Sequence, residues 1–218
     1  MECYPFFMTE PGNSAVRTGR RQVQSAQTRE LIVASAGELF LGRGYSATSI
    51  EAIATHAGVA IQTIYNSVGN KTALLSAVLD AAVAGPDAPR TVPEFMRERM
   101  ARTDDVPGAI AVLADWFAEG MPRSRAVLTA IGQAAAVDPA VARLRDERAM
   151  QRLANYRLAA AAIRERGGLS NGMDDGDAAA VVFALGHPDN YDSLVHAAGW
   201  GVERYRGWIY TALLSALG

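Results

Sequence analysis

Cysteine is nearly missing from this 218-residue chain: Cys3 stands alone near the N-terminus. Disulfide frameworks, cysteine-rich zinc sites and cysteine nucleophiles therefore have nothing to build on. Lysine is almost as scarce, since Lys71 is the single one and arginine supplies the rest of the 21 basic residues. Against 23 acidic residues the formal net charge is -2, so no global field selects nucleic acid or an anionic membrane, and any such site must be local. No window approaches the roughly 18 uninterrupted apolar residues of a membrane span, and the N-terminus has neither the basic region nor the apolar run of an export signal. A cytoplasmic setting with no membrane partner is the expectation. Aromatics make up only 7% and long Val/Ile/Thr alternation is absent, whereas alanine occurs 41 times. That balance disfavours sheet and favours an all-α fold.

Residues 1–24 combine Pro11, Gly12, Asn13 and Ser14 with Arg17, Arg20 and Arg21 and show no apolar period, which predicts a flexible N-terminal arm. Arg20 and Arg21 on it are candidate minor-groove contacts. From Ser25 onward Leu31, Ile32, Ala36, Leu39 and Phe40 recur at helical steps until Gly42 and Gly44. Thr48, Ser49, Ile50 and Glu51 match a capping box with Thr48 as the cap, opening a short helix that Gly58 ends. A third short helix from Ala60 to about Asn66 turns Ile61 and Ile64 inward and leaves Gln62, Thr63, Tyr65 and Asn66 for another surface. Asn70 suits the N-cap of a fourth helix carrying Leu74, Leu75, Val78 and Leu79. The Gly85, Pro86, Asp87, Ala88, Pro89 cluster then marks a domain boundary. The expected division is an arm over 1–24, a helix-turn-helix domain with its connecting helix over 25–84, and a larger helical domain over 85–218.

In that larger domain helices are expected at about 92–101, 106–119, 123–137, 139–166, 175–186, 189–197 and 202–217, separated by prolines and glycines. Ala178 to Leu185 is apolar on every side, and Val202, Tyr205, Ile209 and Leu213 stripe the last helix, so a dimer contact through Val181, Val182, Leu185 and that stripe is expected. Phe95, Met96, Met100, Trp116, Phe117, Met121, Met150 and Tyr156 sit at helical spacings and are core by default. Met and aromatic walls also suit a pocket for a small apolar molecule, placed within residues 91–166. His56, His187 and His196 lack partners at ligand spacing, so neither a metal nor a cofactor is expected.

Two short helices joined by a glycine turn have the proportions of a helix-turn-helix whose second helix enters the major groove. Gln and Asn amides can pair with adenine, Thr can bond a base or touch the thymine methyl, and Tyr65 and Lys71 suit phosphates. Over residues 17–75 six basic residues face three acidic ones, a local +3.

The run Thr28-Arg29-Glu30-Leu31-Ile32, Leu39-Phe40, Arg43-Gly44-Tyr45-Ser46-Ala47-Thr48-Ser49-Ile50, Ile53-Ala54, Ala57-Gly58-Val59, Thr63-Ile64-Tyr65 and Lys71 with Leu74-Leu75 resembles the DNA-binding domain of the TetR family of transcriptional regulators. About fifty residues match in order and spacing. A looser likeness to the family's closing helices runs from Pro188-Asp189-Asn190-Tyr191 to Trp208. The resemblance implies a homodimer whose N-terminal helices bind double-stranded operator DNA and whose larger domain holds an effector pocket. It assigns phosphate contacts to Thr48, Tyr65 and Lys71, and recognition contacts to Ala60, Gln62, Thr63 and Asn66. Two departures stand out: Ala60 where members carry a Ser or Thr cap, and Ser67-Val68 where they carry an aromatic pair. The function expected is a ligand-responsive repressor released from a palindromic operator by a small, mainly apolar effector. The alternative is a helical small-molecule-binding protein or enzyme without regulatory DNA binding. Against an enzyme, the chain has no HExxH, P-loop or Rossmann fingerprint.

Overall fold

The computed structural model describes residues 14–85, 91–169 and 172–218, with side chains from residue 22 onward. Among these residues all regular structure is helical. The order is α1 (Ser14–Arg43), α2 (Ile50–Ala57), α3 (Ile61–Ser67), α4 (Lys71–Ala84), α5 (Val92–Met100), α6 (Val106–Ala135), α7 (Pro139–Glu165), α8 (Asp175–Leu185), α9 (Pro188–Tyr191) running into a π-helical turn (Asp192–Ala197), and α10 (Val202–Leu217).

The first four helices form a head around Ile32, Phe40, Ile53, Ile64, Leu74 and Leu75, all essentially sealed from solvent. Gly58 caps α2 in the left-handed conformation (φ 66°), where a side chain would be strained. Its N–H returns to the Thr55 carbonyl, and this closes the tight turn between α2 and α3. The expected arm over 1–24 is too long, because α1 already begins at Ser14. The side chains of Arg20 and Arg21, the proposed minor-groove contacts, lie outside the described residues.

Two helices expected at 106–119 and 123–137 are one. Pro122 sits inside α6 and removes a backbone donor, at a cost of about 3 kcal/mol or more in a helix interior. Burial offsets it: Ile110, Leu113 and Phe117 lie in the core of the larger domain and Val127 and Ile131 in that of the head, each 3% exposed or less. At roughly 1.5–3 kcal/mol for each such side chain, burial on both sides of the proline keeps the helix going. Ser124 also donates to the Gly120 carbonyl at 2.9 Å beside the proline. Because α6 and the start of α7 (Val141, Leu144) complete the head's core, the head is packed onto the larger domain and not hung from a linker.

The expected dimer stripe is corrected. Val182, Tyr205, Ile209 and Leu213 are completely buried inside the single chain, where α10 packs on α6 and α8. Val181, Leu185 and Val202 are half-buried. A helix that reads as apolar on every side is here sandwiched by its own neighbours: Ala178, Ala179 and Val182 of α8 face inward, while Ala180 and Ala184 remain exposed.

Candidate nucleic-acid interface and cavity

On α3 one apolar anchor, Ile64, is sealed in the head's core while Ile61, Gln62, Tyr65 and Asn66 are exposed and Thr63 is half-exposed. Gln62 Nε2 donates to Asn66 Oδ1 at 2.9 Å, one helical turn on. The pair holds both amides on one surface, with the Gln62 carbonyl oxygen and the remaining N–H groups free to meet a base edge. Ala60 is the N-cap residue and offers no side-chain acceptor, so the first N–H groups of α3 await water or an anion. Arg29 of α1 donates from Nη1 to the Ser67 carbonyl and so ties the C-terminal end of α3 to the head. The sequence shows Arg29 only as a charge; its role needed the crossing of α1 over α3.

Lys71 begins α4 directly after its cap, Asn70, whose Oδ1 accepts from the Ala73 N–H at 2.8 Å. The ammonium lies 4.1 Å from the centre of the Tyr45 ring, and partial burial lowers its pKa. Tyr45 itself is buried against Phe40 and bonds Thr72 at 3.2 Å. An ammonium thus stands at a helix N-terminus whose free N–H groups also favour anions.

Thr48 does not fit its expected role. Its side chain is 2% exposed, with Oγ1 2.8 Å from the Gly44 carbonyl and 3.2 Å from that of Leu39, so its single proton stays within the chain. Ser49 caps α2 instead, accepting from the Ala52 N–H at 3.2 Å. The β-branched Thr buries its methyl and leaves the exposed cap to the neighbouring hydroxyl, one place later than the capping-box spacing suggests.

A cavity of about 850 Å³ lies between α4, α5, α6, α7 and α9. Trp116, Phe117, Met121 and Tyr156 line it; Phe95 is not in its wall but packs tilted against Trp116 with ring centres 5.8 Å apart. Met96 and Met100 belong to the packed core, and Met150 is 65% exposed on the outer face of α7. Those three are not in its wall. The cavity also reaches beyond residues 91–166, taking Leu79, Asp80 and Val83 from α4 and His187, Pro188, Asp189 and Asp192 from in and around α9. Its polar wall of Arg145, Arg148, Arg152, Gln151 and Asn155 on α7 was not anticipated, although the Arg spacing of three and four residues along one helix was a visible signal. Among the described residues no three His, Cys, Asp or Glu are grouped to hold a metal, and no helix is long and apolar enough to cross a membrane.

A short capped helix, a left-handed glycine turn and a second helix with exposed amides, set on a scaffold helix, define a helix-turn-helix head. Residues 32–78 match the sequence family described as bacterial regulatory proteins, tetR family, so the chain carries the N-terminal domain of the TetR family. Its fold is that of solved TetR regulators. NalD, the secondary repressor of the MexAB-OprM multidrug efflux pump in Pseudomonas aeruginosa, is 24% identical with a TM-score of 0.67 over 88% of this chain and 98% of its own. SmeT, solved as a complex with triclosan, is 21% identical with a TM-score of 0.66 over 88% and 91%. The fatty acid degradation regulator FadR from Bacillus halodurans is 17% identical with a TM-score of 0.66 over 85% and 94%. No curated protein matches the chain.

Proposed function

We propose that the protein is a ligand-responsive transcriptional repressor that binds a palindromic operator as a homodimer and releases it when a small, mainly apolar effector occupies the cavity. One observation carries this reading: Leu79 and Ile131 belong both to the head's core and to the cavity wall. Anything that repacks the cavity therefore acts on the scaffold that presents α3. Thr129 and Gln133 of α6 extend the link, lining both the cavity and a second cleft of about 570 Å³ beside Phe40, Arg43 and Tyr45 of the head. SmeT, a protein of the same fold, is known in complex with a small molecule. A ligand weakens DNA binding only by its differential affinity for the released state, and a tenfold loss needs about 1.4 kcal/mol of coupling.

In this reading α3 enters the major groove, Gln62 and Asn66 read base edges with Thr63, Tyr65 and Lys71 hold phosphates, and the Ala60 end of α3 approaches the backbone. The dimer face lies on what α8 and α10 leave uncovered: Ala180, Ala184, Gly207, Thr211 and Ser215 are exposed and small, which permits close helix approach between two copies. The test is fluorescence anisotropy of a labelled duplex taken from the DNA flanking the protein's own gene. The reading expects specific binding that candidate apolar ligands weaken; binding no tighter than to an unrelated duplex would overturn it.

A further inference from the structure

Most charges in the cavity wall are already answered within the chain. Arg148 pairs with Asp80 at 2.8 Å, Arg145 with its neighbour Asp146 at 2.8 Å, and Asp192 with Arg125 at 3.0 Å. Asp189 is largely in solvent beside His187. Arg152 differs. It lines the cavity, its Nε is buried with no hydrogen-bond partner, and among the described residues no carboxylate pairs with it. What it has is the Phe183 ring, 4.9 Å from the guanidinium carbon, which can hold the cation in place without satisfying any N–H group. A buried guanidinium N–H lacking an acceptor is costly, and the partner that matches the fork of Nε and its neighbouring Nη is a carboxylate taking two parallel N–H bonds.

The surroundings narrow the class further. Asn155 and Gln151 offer amides beside Arg152 on α7, and Tyr156, whose pKa burial pushes up to about 12, keeps its hydroxyl proton as a donor. Phe117 lies beside Tyr156 with ring centres 5.9 Å apart, and Trp116 and Met121 line the same cavity. One unanswered positive charge suits one negative charge. A phosphate monoester at about -1.5 to -2 would leave buried charge unmatched. We propose that Arg152 anchors the carboxylate of an amphipathic monocarboxylate, whose apolar body lies against Trp116, Phe117 and Met121. This rests on reading the cavity as the effector site, and it specifies the head group that reading leaves open.

The test is calorimetry on the full-length protein with two matched pairs: decanoate against 1-decanol, and 1-naphthylacetate against 2-(1-naphthyl)ethanol. Wild type is expected to bind at least one carboxylate about tenfold or more tighter than its alcohol, the range of a charge-assisted bidentate bond. R152M should bring the two within about twofold of each other while leaving the alcohol's affinity unchanged. R152K, which keeps the stem and the charge but not the fork, should retain a reduced preference; it also serves if R152M melts early in a thermal scan. Equal affinity for acid and alcohol in the wild type, a preference that survives R152M, or no binding of either pair at about millimolar concentration would each overturn the proposal. Anisotropy with operator DNA on the same preparations reads the regulator hypothesis separately. Carboxylate binding that leaves DNA affinity unchanged would support the anchor and remove its regulatory role.

Discussion

Gln62 and Asn66 bond each other across one turn of α3, so neither amide searches freely for a base. Gln62→Ala or Asn66→Ala is expected to cost about 1 to 3 kcal/mol at particular base pairs, and the double variant less than the sum, because each single change also releases the other's side chain. A base-substitution scan checks this: unchanged base preference in both variants would exclude them as readers. Lys71 is proposed to hold a phosphate, a contact that carries no sequence information. Lys71→Ala should weaken binding to all sequences and flatten the salt dependence by about 0.9 in log-log slope, as a salt titration would show. Thr48, buried with its proton engaged, is expected to behave as a structural residue. Thr48→Val should destabilise the fold by about 1 to 2 kcal/mol in urea titration and leave the salt slope as it was. The exposed amides of α3 were legible from the sequence because a short helix can bury only one face, although of the two residues expected inward only Ile64 is buried and Ile61 is exposed. The inward rotation of Thr48 was not, because Thr and Ser are near-equal caps and only the Gly44 carbonyl, brought close by the preceding turn, decides between them.

Helix by helix, periodicity located most of the fold. Ile32, Leu39 and Phe40 of α1, Ile53 and Ala54 of α2, and Leu74 and Leu75 of α4 stand where the apolar pattern puts them. Asn70 caps α4 as its side chain suggests. The pattern failed where a local breaker met a buried face. Pro122 reads as a boundary in one dimension, yet α6 carries core residues of both halves and continues through it. Close approach between elements is equally hidden from the sequence. A β-carbon at Gly186, at the end of α8, would lie 2.1 Å from the Phe117 ring, so this glycine is what lets α8 seat against α6 beside the cavity. Gly186→Ala is expected to lower stability by about 1 to 3 kcal/mol by overpacking, and to disturb ligand binding more than DNA binding. Thermal melts beside calorimetry and anisotropy check both parts; an unperturbed melting temperature would show that the ring simply moves aside.

At the scale of the whole molecule, the sequence displayed two apolar surfaces in the C-terminal helices without showing which covers which. Val182, Tyr205, Ile209 and Leu213 satisfy each other inside one chain, so the stripe that looked like an interface is core. Two substitutions separate the possibilities. Ile209→Glu buries an unpaired carboxylate and is expected to unfold the larger domain, seen as lost helicity by circular dichroism. In the proposed dimer Thr211→Arg sets like charges against each other on the small-residue face of α10 and is expected to give folded monomers by light scattering, with much weaker operator binding because two linked heads gain effective concentration that one lacks. A folded dimer in the Thr211→Arg variant would move the interface elsewhere. The central claim, that the α3 surface recognises a DNA sequence, is tested most directly by selecting fragments from a random duplex library with the purified protein and measuring the winner by anisotropy at fixed salt. The account predicts enrichment of a two-fold symmetric sequence bound at least about 10³-fold tighter than a scrambled duplex, with that ratio falling in Gln62→Ala and Asn66→Ala. A library that returns no enriched sequence, or a ratio near one, would contradict it.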